Sequence, residues 1–71
     1  MALEDVLKGN WNKFKGRVKE EWGDLTDDDL TQIEGSRDVL IGKIQERYGL
    51  TKLEAEQEVA DFIERQDKDV F

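Results

Sequence analysis

Residues 9–23 read GNWNKFKGRVKEEWG and residues 35–49 read GSRDVLIGKIQERYG, so one pattern occurs twice at a shift of 26 positions. Three glycines and one glutamate coincide between the copies, and elsewhere the kind of residue is kept, as where Phe14 lies over Leu40. In each copy the apolar residues recur every three or four positions, which places them on one face of an α-helix. The sequence therefore predicts a duplicated helical unit around which the rest of the chain is organised.

Capping and stop residues bound the first two predicted helices. Asn10 is a suitable N-cap and Gly23 a suitable left-handed stop for a helix at about 11–22. A second helix begins after Thr26, which is expected to form a capping box with Asp29. Three consecutive carboxylates meet the positive end of its dipole, which favours a helix start at this point.

The same signals continue to the end of the chain. The second helix is expected to end at Gly35, Ser36 to cap a third helix that Gly49 ends, and Thr51 with Glu54 to form the capping box of a fourth. The chain has no proline and no alternating apolar pattern typical of strands, so the predicted fold class is all-α. Short connections make sequential helices pack as neighbours, which predicts a small four-helix bundle of two helical hairpins from an internal duplication.

The apolar stripes of these helices give the predicted core. Where the two copies differ, Lys13 and Lys15 of the first become Val39 and Ile41 of the second. We therefore expect the third helix to be buried centrally and the first to keep a basic surface in water. The predicted core residues are Trp11, Phe14, Val18, Trp22, Leu30, Ile33, Leu40, Ile41, Ile44, Tyr48, Ala55, Val59, Phe62 and Ile63, with Gln66 at the margin.

Length and composition restrict the class of protein. The 71 residues suit one domain, with an ordered part at about 9–64 and the last residues either docked or loose. Residues 1–8 could form one helical turn leading into Gly9 or fray, and fraying is the favoured interpretation. Cysteine and histidine are both absent, so thiolate metal sites and the commonest general base are missing. The first residues lack the basic and apolar regions of a secretory signal, and no apolar run reaches membrane-span length, which predicts a cytoplasmic location.

The charge is acidic overall and unevenly distributed. The chain carries 11 basic and 18 acidic residues, a net charge of -7, yet residues 1–23 carry five positive and four negative charges. A net negative field opposes binding to nucleic acid or anionic membrane as a whole. The candidate interaction surface is therefore the basic first helix, with a solvated helix face as the simpler interpretation and contact with a polyanion or an acidic protein segment as the alternative. Its residues are Lys8, Lys13, Lys15, Arg17 and Lys19.

Three aromatic residues interleave with these lysines. Trp11, Phe14 and Trp22 resemble a stacking platform for single-stranded bases, but all three lie on the apolar stripe, so a core role is the favoured interpretation. Trp11 is the exception of interest, because the second copy has Arg37 in its place.

Gly16 and Gly42 lie in the middle of their helices, where each costs about 1 kcal/mol relative to alanine. Both lie nearly opposite the apolar stripe, so core packing does not explain them. The alternatives are a helix bend and the close approach of another helix. We favour close approach, which predicts that Gly42→Ala destabilises the protein.

Acidic residues offer no clear catalytic or metal site. The run from Asp24 to Asp29 lacks the sixth-position glycine of a calcium loop, so dipole capping explains it better. Glu54 and Glu58 lie on a charged helix face without a nucleophile or histidine beside them. The sequence therefore predicts a protein that is not an enzyme and has no catalytic, cofactor-binding or metal-binding residues.

Residues 9–23, the LTDDDL run at 25–30, and residues 42–49 together resemble the CsbD-like family of small bacterial proteins, over about residues 9–64. The resemblance implies a cytoplasmic helical bundle, with two crossed hairpins similar to the SAM-like arrangement, and an association with the general stress response. It implies no activity, because none is established for the family, and there are no functional residues to carry over.

Three functional hypotheses follow. The favoured one is a non-enzymatic, stress-associated protein that acts by abundance or by weak contact with macromolecules. The second is a nucleic-acid-binding accessory protein that uses the basic first helix, and the third is a module that self-associates, basic first helix against acidic fourth helix. The expected state is a monomer or a weak self-associate.

Overall fold

Helices fill most of the part of the chain that the computed structural model describes, which is the backbone of residues 7–69 and the side chains of residues 7–65. None of residues 7–69 lies in a strand, so the all-α prediction is confirmed. Residues 7–9 form a helical turn ahead of the four longer helices. These are α1 (Trp11–Glu21), α2 (Asp27–Ile33), α3 (Arg37–Tyr48) and α4 (Lys52–Asp69).

Helix α1 ends differently from the prediction. Asn10 occupies the N-cap position, but its side chain makes no capping hydrogen bond. Gly23 has no positive φ, so its prediction as a left-handed stop is wrong. The helix ends because Trp22 leaves the helical region, at φ -124° and ψ 79°. The turn that follows is closed by the Leu25 N–H, which donates to the Trp22 carbonyl at 3.1 Å.

Helix α2 has the predicted capping box. The Thr26 hydroxyl accepts a hydrogen bond from the Asp29 N–H, and the Asp29 carboxylate accepts one from the Thr26 N–H, each at 3.1 Å. The far end of α2 turns through two left-handed residues, Glu34 at φ 44° and Gly35 at φ 84°. The left-handed end of α2 thus begins at Glu34, one residue before the stop predicted at Gly35.

The predicted caps of α3 and α4 are confirmed. The Ser36 side chain accepts a hydrogen bond from the Val39 N–H, and Gly49 ends α3 in the left-handed conformation, at φ 65°. At the start of α4 the Thr51 hydroxyl accepts from the Glu54 N–H at 3.1 Å, and the Glu54 carboxylate accepts from the Thr51 N–H at 2.9 Å.

All four helices contribute to one hydrophobic core. Phe62 of α4 packs against two rings of α1, with ring centroids 5.0 Å from Trp22 and 6.3 Å from Phe14. The predicted core is confirmed at twelve positions, and the core also includes Leu7 and Leu25. The confirmed positions are Phe14, Val18, Trp22, Leu30, Ile33, Leu40, Ile41, Ile44, Ala55, Val59, Phe62 and Ile63. Trp11 is only partly buried, and the side chain of Gln66 lies outside the described residues.

Two predictions of burial on α3 are wrong. Val39 is 36% exposed, because the helical rotation of about 100° per residue places it on a different side of α3 from the buried Leu40 and Ile44. Tyr48 is 39% exposed at the end of α3, where its hydroxyl accepts a hydrogen bond from the Asp24 N–H at 3.1 Å. Of the two apolar residues that replace lysines in the second copy, only Ile41 is therefore buried.

The prediction of fraying is wrong at Leu7 and Lys8; residues 1–6 lie outside the described part. Leu7 is helical and fully buried. The backbone of this turn runs so close to Gly35 that a Cβ built there would lie 2.7 Å from the Lys8 Cα. The absence of a side chain at Gly35 therefore lets the N-terminal turn pack against the α2–α3 connection.

Gly16 and Gly42 are open to the outside of their helices. A Cβ built at either position would have no neighbouring atom within 4 Å, so the close helix approach predicted for them is wrong. Gly42→Ala is expected to raise the free energy of unfolding by about 1 kcal/mol, because alanine loses less backbone entropy in a helix. Urea unfolding of the wild type and the variant measures the difference.

Gly35→Ala is the matched control. It is expected to lower the free energy of unfolding by at least about 1–2 kcal/mol, because a left-handed alanine is strained and its Cβ meets the Lys8 backbone. Destabilisation by Gly42→Ala together with a neutral Gly35→Ala would contradict both assignments.

Candidate functional site

The five cations predicted as an interaction surface are all exposed. Lys8 precedes α1, and the other four cations form two rows along the helix, since residues four apart lie on the same side. Lys15 and Lys19 lie on one side of the buried stripe, and Lys13 and Arg17 lie on the other. The exposed Gly16 lies between the two rows, so the cations surround the outer half of α1 and do not converge on one point.

Two of the five cations take part in other contacts. The Lys19 ammonium donates a hydrogen bond to the Leu25 carbonyl at 2.7 Å, which ties the end of α1 to the loop before α2. Arg17 also interacts with another residue. Lys8, Lys13 and Lys15 make no hydrogen bond or ion pair with the residues that the structure describes. These three lysines, called here the open lysines, are the part of the predicted surface that the described fold does not use.

The stability of α1 does not explain Lys13 and Lys15. Like charges four residues apart destabilise a helix by about 0.2–0.5 kcal/mol per pair, and α1 has such a pair in each row. Its first turn has no acidic residue to offset the helix dipole. Burial of Phe14, Val18 and Trp22 holds the helix in place despite these costs.

Two cations of α3, unlike the open lysines, pair with a buried carboxylate. Arg47 donates to the Asp29 carboxylate through Nε at 3.0 Å and through Nη2 at 3.3 Å, and the Lys43 ammonium lies 3.5 Å from the same carboxylate. The Asp29 side chain is only 3% exposed. Its hydrogen bonds from Arg47 and from the Thr26 N–H hold the pKa of Asp29 far below the usual range of a carboxyl. The same contact raises the pKa of Arg47. We call Thr26, Asp29, Lys43 and Arg47 the Asp29 cluster.

The two glutamates weighed as an acid and base pair also serve the fold. The Thr51 N–H and hydroxyl lower the pKa of Glu54 by hydrogen bonding to its carboxylate. Glu58 accepts a hydrogen bond from the Trp22 indole N–H at 3.0 Å, joining α4 to α1. A second α1–α4 contact is the ion pair of Arg65 with Glu21, at 3.0 Å. Both glutamates therefore make contacts that stabilise the fold.

One depression lies at the start of α1. It has a volume of about 310 Å³ and is lined by the continuous segment from Lys8 to Lys13. Trp11 lines it while also packing against the core. Phe14 and Trp22 are buried, so the core interpretation is confirmed for them, and Trp11 is the aromatic residue of α1 that differs.

Neither a metal site nor a membrane span is found in the described part of the chain. Residues 7–65 contain no group of three or more Asp or Glu side chains placed to hold a metal ion. None of the described helices is both long and apolar enough to cross a membrane.

These features define a small all-helical protein with an acidic surface and a basic first helix. The chain belongs to the CsbD-like family, whose model matches residues 5–57. The resemblance seen in the sequence is therefore confirmed. The matched region covers α1, α2, α3 and the first turns of α4.

Similar proteins occur in several bacteria. The UPF0337 protein YjbJ of Salmonella typhimurium LT2 is 61% identical over 62 residues, which cover 87% of this chain and 89% of that protein. The UPF0337 protein YjbJ of Escherichia coli K12 is 64% identical over 59 residues, covering 83% and 86%. The UPF0337 protein PA4738 of Pseudomonas aeruginosa is 57% identical over 61 residues, covering 86% and 94%. Their names state no activity, substrate or partner.

Acid is expected to weaken the fold through the Asp29 cluster. Because the pKa of Asp29 is lower in the folded than in the unfolded chain, its contribution to stability is complete well above pH 4 and is lost as the pH falls below about 4. Asp29→Asn should lower the free energy of unfolding at pH 7 and flatten its decrease with acid. Urea unfolding between pH 2 and pH 7 measures both effects.

Asp28→Asn is the matched control, since Asp28 is exposed in the same helical turn and loses the same charge. It should keep the acid dependence of the wild type. An unchanged pH slope in Asp29→Asn would show that the ion pairs do not couple to folding.

Proposed function

We propose that this chain is a non-enzymatic, cytoplasmic protein of the bacterial stress response that acts by weak contact with polyanionic macromolecules. The observation that carries this proposal is the exposure of the open lysines, two of which, Lys13 and Lys15, stand four residues before another cation on α1. Selection for stability alone would not place like charges in this way. A surface that binds anions gives them a role.

The two remaining parts of the proposal rest on other grounds. The chain belongs to the CsbD-like family, and the proposed association with stress rests on what the resemblance to that family implies. The lack of enzymatic activity is supported by the absence of histidine and cysteine and by the structural use of the carboxylates Asp29, Glu54 and Glu58.

The architecture proposed with this function is one domain over residues 1–71. The two sequence copies are an original helix pair that was duplicated, packed as two crossed hairpins in a four-helix bundle similar to the SAM-like arrangement. In this view the first copy retained a basic outer surface. The second copy used its cations Lys43 and Arg47 to neutralise Asp29.

The expected binding is weak and depends on salt. The net charge of -7 repels a polyanion, and only a few phosphates can reach one helix. Each phosphate that a cation neutralises on duplex DNA contributes about -0.9 to the slope of log affinity against log salt concentration. Binding should therefore be detectable near 50 mM salt and much weaker at physiological salt.

The combined variant Lys13→Gln with Lys15→Gln tests the surface. An NMR titration of isotope-labelled protein with inorganic polyphosphate and a 12-base-pair DNA duplex should show shifts on α1 in the wild type. The variant should bind both more weakly and with a salt slope for the duplex closer to zero by about 1–2. The measurement is the affinity at a series of salt concentrations.

Lys52→Glu is the matched control, because Lys52 is exposed at the start of α4. Reversing its charge lowers the net charge by two, as do the two Lys→Gln substitutions on α1. It should retain most of the binding. Absence of binding near 50 mM salt, or equal losses in both variants, would contradict the proposed surface.

Self-association through the same cations is the second candidate, because α4 presents exposed carboxylates, including Asp61 and Glu64. Sedimentation of the wild type at low and high salt tests it. A species heavier than the monomer at low salt, lost in the Lys13 and Lys15 variant, would favour this candidate. A monomer at both salt concentrations would exclude it.

A further inference from the structure

Trp11 differs from the other aromatic residues of α1. Phe14 is 7% exposed and Trp22 is 2% exposed, and both pack against Phe62. Trp11 is only partly buried, and part of its surface lines the depression at the start of the helix. Part of a large aromatic side chain is therefore accessible from outside the molecule.

The fold does not require an indole at this position. Arg37 occupies the equivalent place in the second copy, at the first position of α3, and α3 forms in the same way. The core contact of Trp11 could be made by a smaller apolar residue. The remaining ring surface is thus available for a ligand.

Cations lie at both ends of the segment that lines the depression. Lys8 and Lys13 are exposed open lysines, and with Trp11 they place an aromatic surface between two positive charges. The volume of about 310 Å³ is at the lower end of the range for ligand pockets. The lining is mainly polar, with Trp11 as its one aromatic side chain, and the size suits a single base better than a large ligand.

We propose that this site binds single-stranded nucleic acid, with one base stacked on Trp11 and the flanking phosphates paired with Lys8 and Lys13. The inference rests on the proposed function, because it names the polyanion that the basic helix contacts. A base-stacking site prefers single strands, since the bases of a duplex are already stacked on one another. Stacking on an aromatic side chain also tolerates any base.

A comparison of three DNA probes tests the role of the base. The probes are a 12-nucleotide strand of thymidines, an abasic strand with the same number of phosphates, and a 12-base-pair duplex. In a Trp22→Phe background Trp11 is the one tryptophan, so its fluorescence reports directly on the site. At 50 mM salt the thymidine strand should quench this fluorescence and bind at least about fivefold more tightly than the abasic strand.

Trp11→Leu is the matched variant, because leucine keeps an apolar contact with the core and removes the ring. Its binding to the thymidine strand, measured by fluorescence anisotropy of labelled DNA, should fall to the level of the abasic strand. Trp11→Phe retains a ring and should keep part of the preference. The comparison of thymidine and abasic strands on the wild type gives an independent answer if Trp11→Leu unfolds.

The outcomes separate this inference from the proposed function. Equal affinity for thymidine and abasic strands, with no effect of Trp11→Leu on either, would overturn the stacking site while leaving polyanion contact in place. Tighter binding of the duplex than of the thymidine strand would also overturn it. Failure of all three probes and of polyphosphate to bind at 50 mM salt would overturn both proposals.

Discussion

The buried carboxylate of Asp29 is the interaction on which the arrangement of the helices depends. It closes the capping box at the start of α2 and is paired with Arg47 and Lys43 of α3. A buried charge without partners would be costly, so the two helices must keep the positions that neutralise it. The loop before α2 is fixed nearby, where the Tyr48 hydroxyl accepts from the Asp24 N–H. One residue thus couples a local cap to the tertiary fold.

This requirement explains why the two copies of the repeat differ in electrostatic role. Lys43 of the second copy lies at the position equivalent to Arg17, and its ammonium group lies 3.5 Å from the Asp29 carboxylate. Asp29 lies in α2, ahead of the second copy, and is the one buried carboxylate among the described residues, so the cations of the first copy have no such group to neutralise there. The two copies therefore use positive charge differently, since Lys43 and Arg47 pair with a buried carboxylate whereas Lys13 and Lys15 stay exposed.

Helix α4 supplies four of the fourteen buried core residues in the described part of the chain and extends beyond the region matched by the family model. That match ends at residue 57, whereas Val59, Phe62 and Ile63 are all buried. Phe62 contacts both buried aromatic rings of α1, and Glu58 accepts from the Trp22 indole. Burial of Trp22 by α4 leaves Trp11, at the opposite end of α1, as the aromatic residue of the first copy with accessible surface.

The sequence by itself determined the local features: the helices, the capping boxes of α2 and α4, and most of the apolar faces. These depend on residues within one or two helical turns of each other, so their spacing is enough to predict them. Contacts between distant parts of the chain were decided only by the tertiary structure. They include the pairing of Asp29 with α3, the docking of Leu7 beside Gly35, the use of Lys19 as a donor to Leu25, and the open space outside Gly42. No local pattern encodes which helix faces meet. The sequence therefore identified the cations of the candidate surface, and only the fold showed that Lys8, Lys13 and Lys15 make no hydrogen bond or ion pair with the described residues.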